Sequence, residues 1–225
     1  MTIQTSVRLR LKPSDTTGIL IKGGTRDLSP RPRNVVMLCL PSVYLRIVKE
    51  TKVEGPGLRY CIWVQGCPIH CEGCFNPNTW SFEGGTFMTI EEIFHDIEDV
   101  LKRKPELEGV TFLGGEPFSQ ARPLSNLASR VKELGLSIVT FTGYEYEKIK
   151  NAKNPVWNAL LVQTDLLIGG PYIQSQHDLS RPCTGVVSYY FITHYRCHNR
   201  YLARVLGCLC RNTIIYCYVS KYVNF

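Results

Sequence analysis

At 225 residues the chain is long enough for one ordinary domain with a sizeable core, and its 44% hydrophobic content suits a globular protein. Its ten cysteines raise the idea of a secreted disulfide scaffold, but such scaffolds are shorter and no secretory leader opens the sequence, which points to a reducing cytoplasm. No apolar run approaches a membrane span, and the net charge of +7 sits at the ends.

Residues 1–44 carry seven Lys/Arg against two Asp/Glu, and residues 179–225 carry six Lys/Arg and no acid. The middle has thirteen basic and seventeen acidic residues. Basicity confined to the ends gives no ground for nucleic-acid binding by the middle.

Residues 1–43 read as an irregular extension, interrupted by Pro13, Gly18, Gly23, Gly24, Pro30, Pro32 and Pro41. The rival reading is a strand pair around Ile19–Ile21 and Val35–Leu40. From Tyr44 to Val48 a short strand is expected. Gly55-Pro56-Gly57 is a turn signal, and Arg59 to Gln65 is a buried strand rich in aromatic and branched residues.

Cys67-Pro68-Ile69-His70-Cys71-Glu72-Gly73-Cys74 follows directly. Three thiolates at C-x3-C-x2-C spacing would repel one another without a cation between them. Zinc and an iron–sulfur cluster are the two occupants that soft thiolate ligands suit. Structural zinc wants a fourth protein ligand, for which the nearby candidates are His70, cramped inside the loop, and Cys61, more simply a core residue. A cluster held by three cysteines keeps one iron open, which is what makes a metal centre reactive.

Thr89-Ile90-Glu91-Glu92 is a capping box, opening an amphipathic helix that ends near Lys104 and Pro105. Val110–Leu113 is a short strand running into Gly114-Gly115-Glu116-Pro117. A helix from Ser119 or Pro123 to Leu134 follows, with Gly135 past its end. Ser137–Phe141 is a strand leaving through Thr142-Gly143. Tyr146–Lys150 and Pro155–Leu161 read as helices, and Asp165–Ile168 as a strand closed by Gly169-Gly170-Pro171. Strands alternating with helices predict a parallel α/β sheet, and the loops after its strands are expected to converge on one site.

The last stretch is unusual. Residues 179–225 hold seven Tyr and five Cys and no acid. Tyr189–Thr193 fits a last strand. The remainder fits a degenerate or frameshifted end, a basic partner-binding tail, or a second metal site at Cys197, His198, Cys208 and Cys210.

The cysteine loop after a strand, with a Gly-Gly-Glu-Pro turn after the next, resembles the radical S-adenosylmethionine superfamily. Val53-Glu54-Gly55-Pro56-Gly57-Leu58-Arg59 and Gly73-Cys74-Phe75-Asn76-Pro77 resemble the glycyl-radical-enzyme activases, above all the short activating proteins of anaerobic ribonucleoside-triphosphate reductase. Asp165 to Pro171 and Asp178-Leu179 resemble a later motif of that family. The resemblance covers about Tyr44 to Pro182. It departs at Gly73, where many superfamily members carry an aromatic residue, and at Arg181-Pro182-Cys183, where an Arg-Gly-Ser-type turn is usual.

The resemblance implies an open partial (β/α) barrel over residues 44–182, with irregular extensions at 1–43 and 183–225. It implies an oxidoreductase with a [4Fe–4S] cluster on Cys67, Cys71 and Cys74. Gly73, Cys74, Phe75, Gly114, Gly115, Glu116 and Pro117 would contact S-adenosylmethionine. Its reductive cleavage would give a 5′-deoxyadenosyl radical, which takes a hydrogen from a glycine Cα of a partner enzyme. The implied partners are a glycyl-radical enzyme and a reductant such as flavodoxin or ferredoxin. No membrane or nucleic-acid partner is implied. The alternatives are a radical enzyme acting on another peptide or small molecule, and a non-catalytic metal-binding or electron-transfer protein.

Several residues also have simpler roles. Arg59 reads as a solvated or ion-paired cap, or else as a contact to a substrate loop, and Glu54 likewise. Trp63 and Trp80 read as core or rim packing. Asp165 reads as a local backbone acceptor or a ribose contact, and His70 and His177 as surface residues.

Overall fold

In the computed structural model, residues 43–177, 190–194 and 214–217 are described. The strands are β1 (Val43–Thr51), β2 (Leu58–Val64), β3 (Phe87–Met88), β4 (Leu107–Gly114), β5 (Ser137–Thr142), β6 (Leu166–Gly169), β7 (Tyr190–His194) and β8 (Ile214–Cys217). The helices are α1 (Ile90–Arg103), α2 (Ala121–Glu133), α3 (Tyr146–Asn151) and α4 (Pro155–Gln163).

The strands form one mixed sheet in the order β3-β1-β2-β4-β5-β6-β7-β8. Its centre, β2-β4-β5-β6, is parallel. Each of those pairings needs a crossover, and the helices supply it. The edges are antiparallel, with β1 on β2 and β7 on β6.

The core lies between the helices and one face of the sheet. Tyr60, Ile62 and Val64 of β2, Val110 and Phe112 of β4, and Ile138 of β5 pack there with Ile93, Ile97, Leu124, Leu127 and Leu160. Alternation puts Arg59, Cys61, Thr111 and Val139 on the other face, where they are buried too. Strands covered on both faces read as continuous apolar runs, which is why β2 shows little alternation.

The local signals explain the boundaries. At Thr89 the capping box forms: Thr89 Oγ1 accepts the Glu92 N–H at 3.2 Å, and Glu92 Oε2 accepts the Thr89 N–H at 2.6 Å. Gly135, at φ +78°, follows the end of α2. Asn154 caps α4 through the N–H groups of Val156 and Trp157, with Pro155 at the first helical position.

Two strands are longer than their apolar runs. β4 begins at Leu107 rather than Val110, because Gly109 pairs with Arg59 on one side and Ser137 on the other. β1 extends to Thr51 through an irregular register with β2. β8 falls within the unusual acid-free stretch, where no strand was expected, and pairs antiparallel with β7. The expected strand pair at Ile19–Ile21 and Val35–Leu40, the Asp178-Leu179 pair, and Cys197, His198, Cys208 and Cys210 lie outside the described residues.

Candidate active site

The loop after β2, the turn after β4, the exit of β5 and the segment after β6 meet at one edge of the sheet. They line a cavity of about 130 Å³ whose walls include Cys67, Cys71, Cys74, Trp80, Gly114, Gly115, Glu116, Thr142, Gly143 and Gly170. This is the convergence that the parallel order of the strands predicts.

Cys67 is nearly buried, and Cys71 and Cys74 are half-buried. Burial pushes the Cys67 thiol up, while the backbone N–H groups of Ile69 and His70 aimed at its sulfur act in the opposite sense. Left-handed backbone at His70, φ +52°, accompanies that arrangement. The Asn76 N–H donates to Cys74 Sγ at 3.4 Å. Such donors favour a thiolate, the form that binds metal. Cys61 is fully buried in the sheet and its thiol is pushed up to about 12, mainly by desolvation. It is a core residue and lies outside the cavity.

Among the described residues no three His, Cys, Asp or Glu side chains gather closely enough for a single metal ion. A cubane cluster asks for something different, since each cysteine reaches a different iron. Three sulfurs spread around one cavity, two of them facing backbone N–H groups, fit that donor pattern.

The Gly114–Pro117 turn is stitched to the entry of the cysteine loop. The Gly115 N–H donates to Val64 O at 2.8 Å and the Glu116 N–H donates to Gly66 O at 2.9 Å. A Cβ at Gly115 would lie 2.5 Å from Gly66 O, and one at Gly114 would lie 2.7 Å from the Val64 backbone. The cofactor contact implied by the resemblance is one reason for glycine here, since a residue without Cβ lets the backbone approach a ligand closely. The structure adds a reason within the protein, because the two backbones must touch.

Glu116 has no exposed surface. Its Oε1 accepts the Phe118 N–H at 2.8 Å and the Thr142 hydroxyl at 2.9 Å, and its Oε2 accepts the Gly143 N–H at 2.9 Å. Desolvation lifts its pKa to about 7 despite these three donors. The carboxylate is therefore engaged by protein groups, while Glu116 itself remains among the residues lining the cavity.

The remaining expected contacts are set apart from the cavity lining. Gly73, at φ +71°, is exposed, and a Cβ there would lie 2.8 Å from the Gln174 side chain. Phe75 is 61% exposed on the rim, with its ring 4.9 Å from that of Tyr172 and 5.3 Å from that of His177. Pro117 is buried at the start of a 3-10 turn, Pro117–Gln120.

Ile69, Thr79, Trp80, Phe141 and Tyr172 line the cavity although no cavity role was read for them. Trp80 stacks on His70 at 4.7 Å. Tyr172 could have been found, since it follows a strand closed by Gly169-Gly170-Pro171. Thr79 carries no such signal.

Two other readings resolve clearly. Arg59 is 1% exposed, neither solvated nor a surface cap. Its guanidinium donates to Thr111 Oγ1, Pro56 O, Ser137 Oγ, Val110 O and Ser137 O. Asp165 Oδ2 accepts the Ile138 N–H at 2.8 Å and its Oδ1 accepts from Lys132 at 2.7 Å, a backbone and a side-chain partner that are both distant in sequence rather than the local backbone bond expected.

A family model described as a 4Fe-4S single cluster domain matches residues 53–191. The "Anaerobic ribonucleoside-triphosphate reductase-activating protein" of Enterobacteria phage T4 is 35% identical over 136 residues, covering 57% of this chain and 80% of that protein. Its Haemophilus influenzae namesake is 30% identical over 144 residues, covering 61% of this chain and 88% of that protein. The "Pyruvate formate-lyase-activating enzyme" of Clostridium pasteurianum is 34% identical over 121 residues, covering 52% of this chain, which spans only 46% of that enzyme's length. Among solved structures, QueE from Escherichia coli is a slight likeness, with TM-score 0.32 and 20% identity over 44% of this chain and 50% of that one. The chain belongs to the 4Fe-4S single cluster domain family.

Proposed function

We propose that the chain is a radical S-adenosylmethionine enzyme that activates a glycyl-radical partner, built on a sheet curved as an open partial (β/α) barrel. One observation carries this reading: the cysteine loop after β2 and the Gly114–Glu116 turn after β4 share one cavity and are hydrogen-bonded to each other. Cys67, Cys71 and Cys74 would hold three irons of a [4Fe–4S] cluster. Loaded with the cluster and S-adenosylmethionine, the site supplies one-electron cleavage of a sulfonium and abstraction of a hydrogen atom.

The chain's own residues bind and orient. Backbone at Gly114 and Gly115 offers the cofactor's amino group carbonyl acceptors. Glu116 fixes that turn against the β5 exit through Thr142 and Gly143. Trp80 and Ile69 narrow the cavity and limit water at the reacting centre. A base or nucleophile of the hydrolytic kind is not needed for this chemistry.

The partner we favour is an anaerobic ribonucleoside-triphosphate reductase. Support comes from length: the chain spans 80% and 88% of two reductase-activating proteins, against 46% of a pyruvate formate-lyase-activating enzyme. The test is to mix the reduced, S-adenosylmethionine-loaded protein anaerobically with each partner and record EPR spectra. A glycyl-radical doublet on the reductase supports the reading. A doublet only on pyruvate formate-lyase reassigns the partner. No doublet on either, with S-adenosylmethionine still cleaved, favours the modification of another peptide or a small molecule.

A further inference from the structure

Gln65 ends the run that β2 begins and is 3% exposed. Its Nε2 donates to Asn78 O at 2.9 Å and to Ser81 O at 2.8 Å. Both carbonyls belong to the return limb of the cysteine loop, past Cys74. Both N–H bonds of one amide are thus spent on closing that loop. The opposite atom, Oε1, is buried with no donor facing it, so the value of this amide lies in its donor pair.

The backbone continues the same seam. The Gly66 N–H donates to Thr79 O at 2.8 Å and the Cys67 N–H donates to Trp80 O at 3.0 Å. Gln120 Nε2 donates to the Gln65 carbonyl at 2.5 Å, which ties the neck to the start of α2. All three cysteines lie inside the loop so closed. Trp80, which stacks on His70 and lines the cavity, rides on the return limb.

We propose that Gln65 is a positioning residue for the iron–sulfur centre. Its amide clamps the neck of the cysteine loop, keeping Cys67, Cys71 and Cys74 at their spacing and Trp80 in the cavity wall. This rests on the reading of those cysteines as cluster ligands. Without the clamp the return limb is held only by the Gly66 and Cys67 backbone bonds, so it loosens with Trp80 and water reaches the cluster more readily. A Glu at the same position keeps the shape but sets an acceptor against two acceptors, so it opposes closure.

The experiment compares reconstituted wild type with Gln65→Met and Gln65→Glu. It reads iron release to a chelator, the EPR spectrum of the reduced cluster, and the thermal melt. Gln65→Met is expected to release iron about tenfold faster, the order set by one to two lost hydrogen bonds, with a broadened EPR signal and an unchanged circular dichroism spectrum. Gln65→Glu is expected to release it faster still. Iron release and EPR identical to wild type in Gln65→Met would overturn the clamp while leaving the cluster reading intact. A wild type that takes up no iron would overturn the cluster reading and the clamp with it. Hydrogen exchange on the wild type keeps the test open if the variants do not fold: slow exchange at Gly66 and Cys67 is expected, and fast exchange there would overturn the clamp.

Discussion

Glu116 Oε2 accepts the backbone N–H of Gly143 at 2.9 Å, joining the exits of two parallel strands beneath the candidate cluster site. A carboxylate with no exposed surface is costly in its charged form, which is why its pKa is lifted from 4.5 to about 7. The proton is bound more tightly in the folded chain than in the unfolded one. This group's contribution to stability is therefore full below about pH 4.5, falls as pH rises towards 7, and is flat above. The difference is on the order of 3 kcal/mol. Glu116→Gln removes the titration and should flatten the melting temperature between pH 5 and 7. Equal slopes for variant and wild type in thermal melts across that range would refute the assignment.

The glycines at the site separate by what stands opposite them. A Cβ at Gly115 would lie 2.5 Å from the Gly66 carbonyl oxygen, which is backbone, whereas one at Gly143 would lie 2.7 Å from the tip of the Ile69 side chain. Backbone cannot step aside without opening the loop; a side-chain tip can turn. Gly115→Ala should lose S-adenosylmethionine affinity by tenfold or more, on the order of 1.4 kcal/mol. Gly143→Ala should lose only a few-fold. Calorimetric titration of the two variants decides, and a reversed order would contradict this packing.

Arg59 anchors the opposite end of the sheet. A Cβ at Gly109 would lie 2.4 Å from its Nη2, so the guanidinium passes over a residue that has to be glycine. Arg59→Met strips donors from the Thr111 and Ser137 hydroxyls and three backbone carbonyls. The expected loss is about 3 kcal/mol of stability, with cluster content per folded molecule unchanged. Denaturant unfolding and iron analysis measure the two quantities separately, and a loss of iron without a loss of stability would contradict a purely structural role.

Much of this was legible in the residues. The capping box at Thr89, the helix-terminating Gly135 and the alternation of strands with helices fix local structure through short-range chemistry, so α1, α2 and the parallel β2-β4-β5 core follow from them. The meeting of Cys67, Gly114 and Thr142 followed in turn from the parallel order. What was hidden depends on partners distant in sequence. Arg59 reads as a surface residue because all its acceptors but the Pro56 carbonyl lie on β4 and β5. The fate of the Glu116 carboxylate was hidden because nothing in Gly-Gly-Glu-Pro shows that Thr142 and Gly143 will take it. Trp80 reads as packing until the loop closes and carries it back to the cavity.

Anaerobic reconstitution with iron and sulfide, followed by dithionite and S-adenosylmethionine, puts the question to this site most directly. Wild type and Cys61→Ala should bind about four irons per chain and release 5′-deoxyadenosine, while Cys67→Ser, Cys71→Ser and Cys74→Ser should not release it. Bound zinc without iron, or no 5′-deoxyadenosine with all three cysteines intact, would contradict the account.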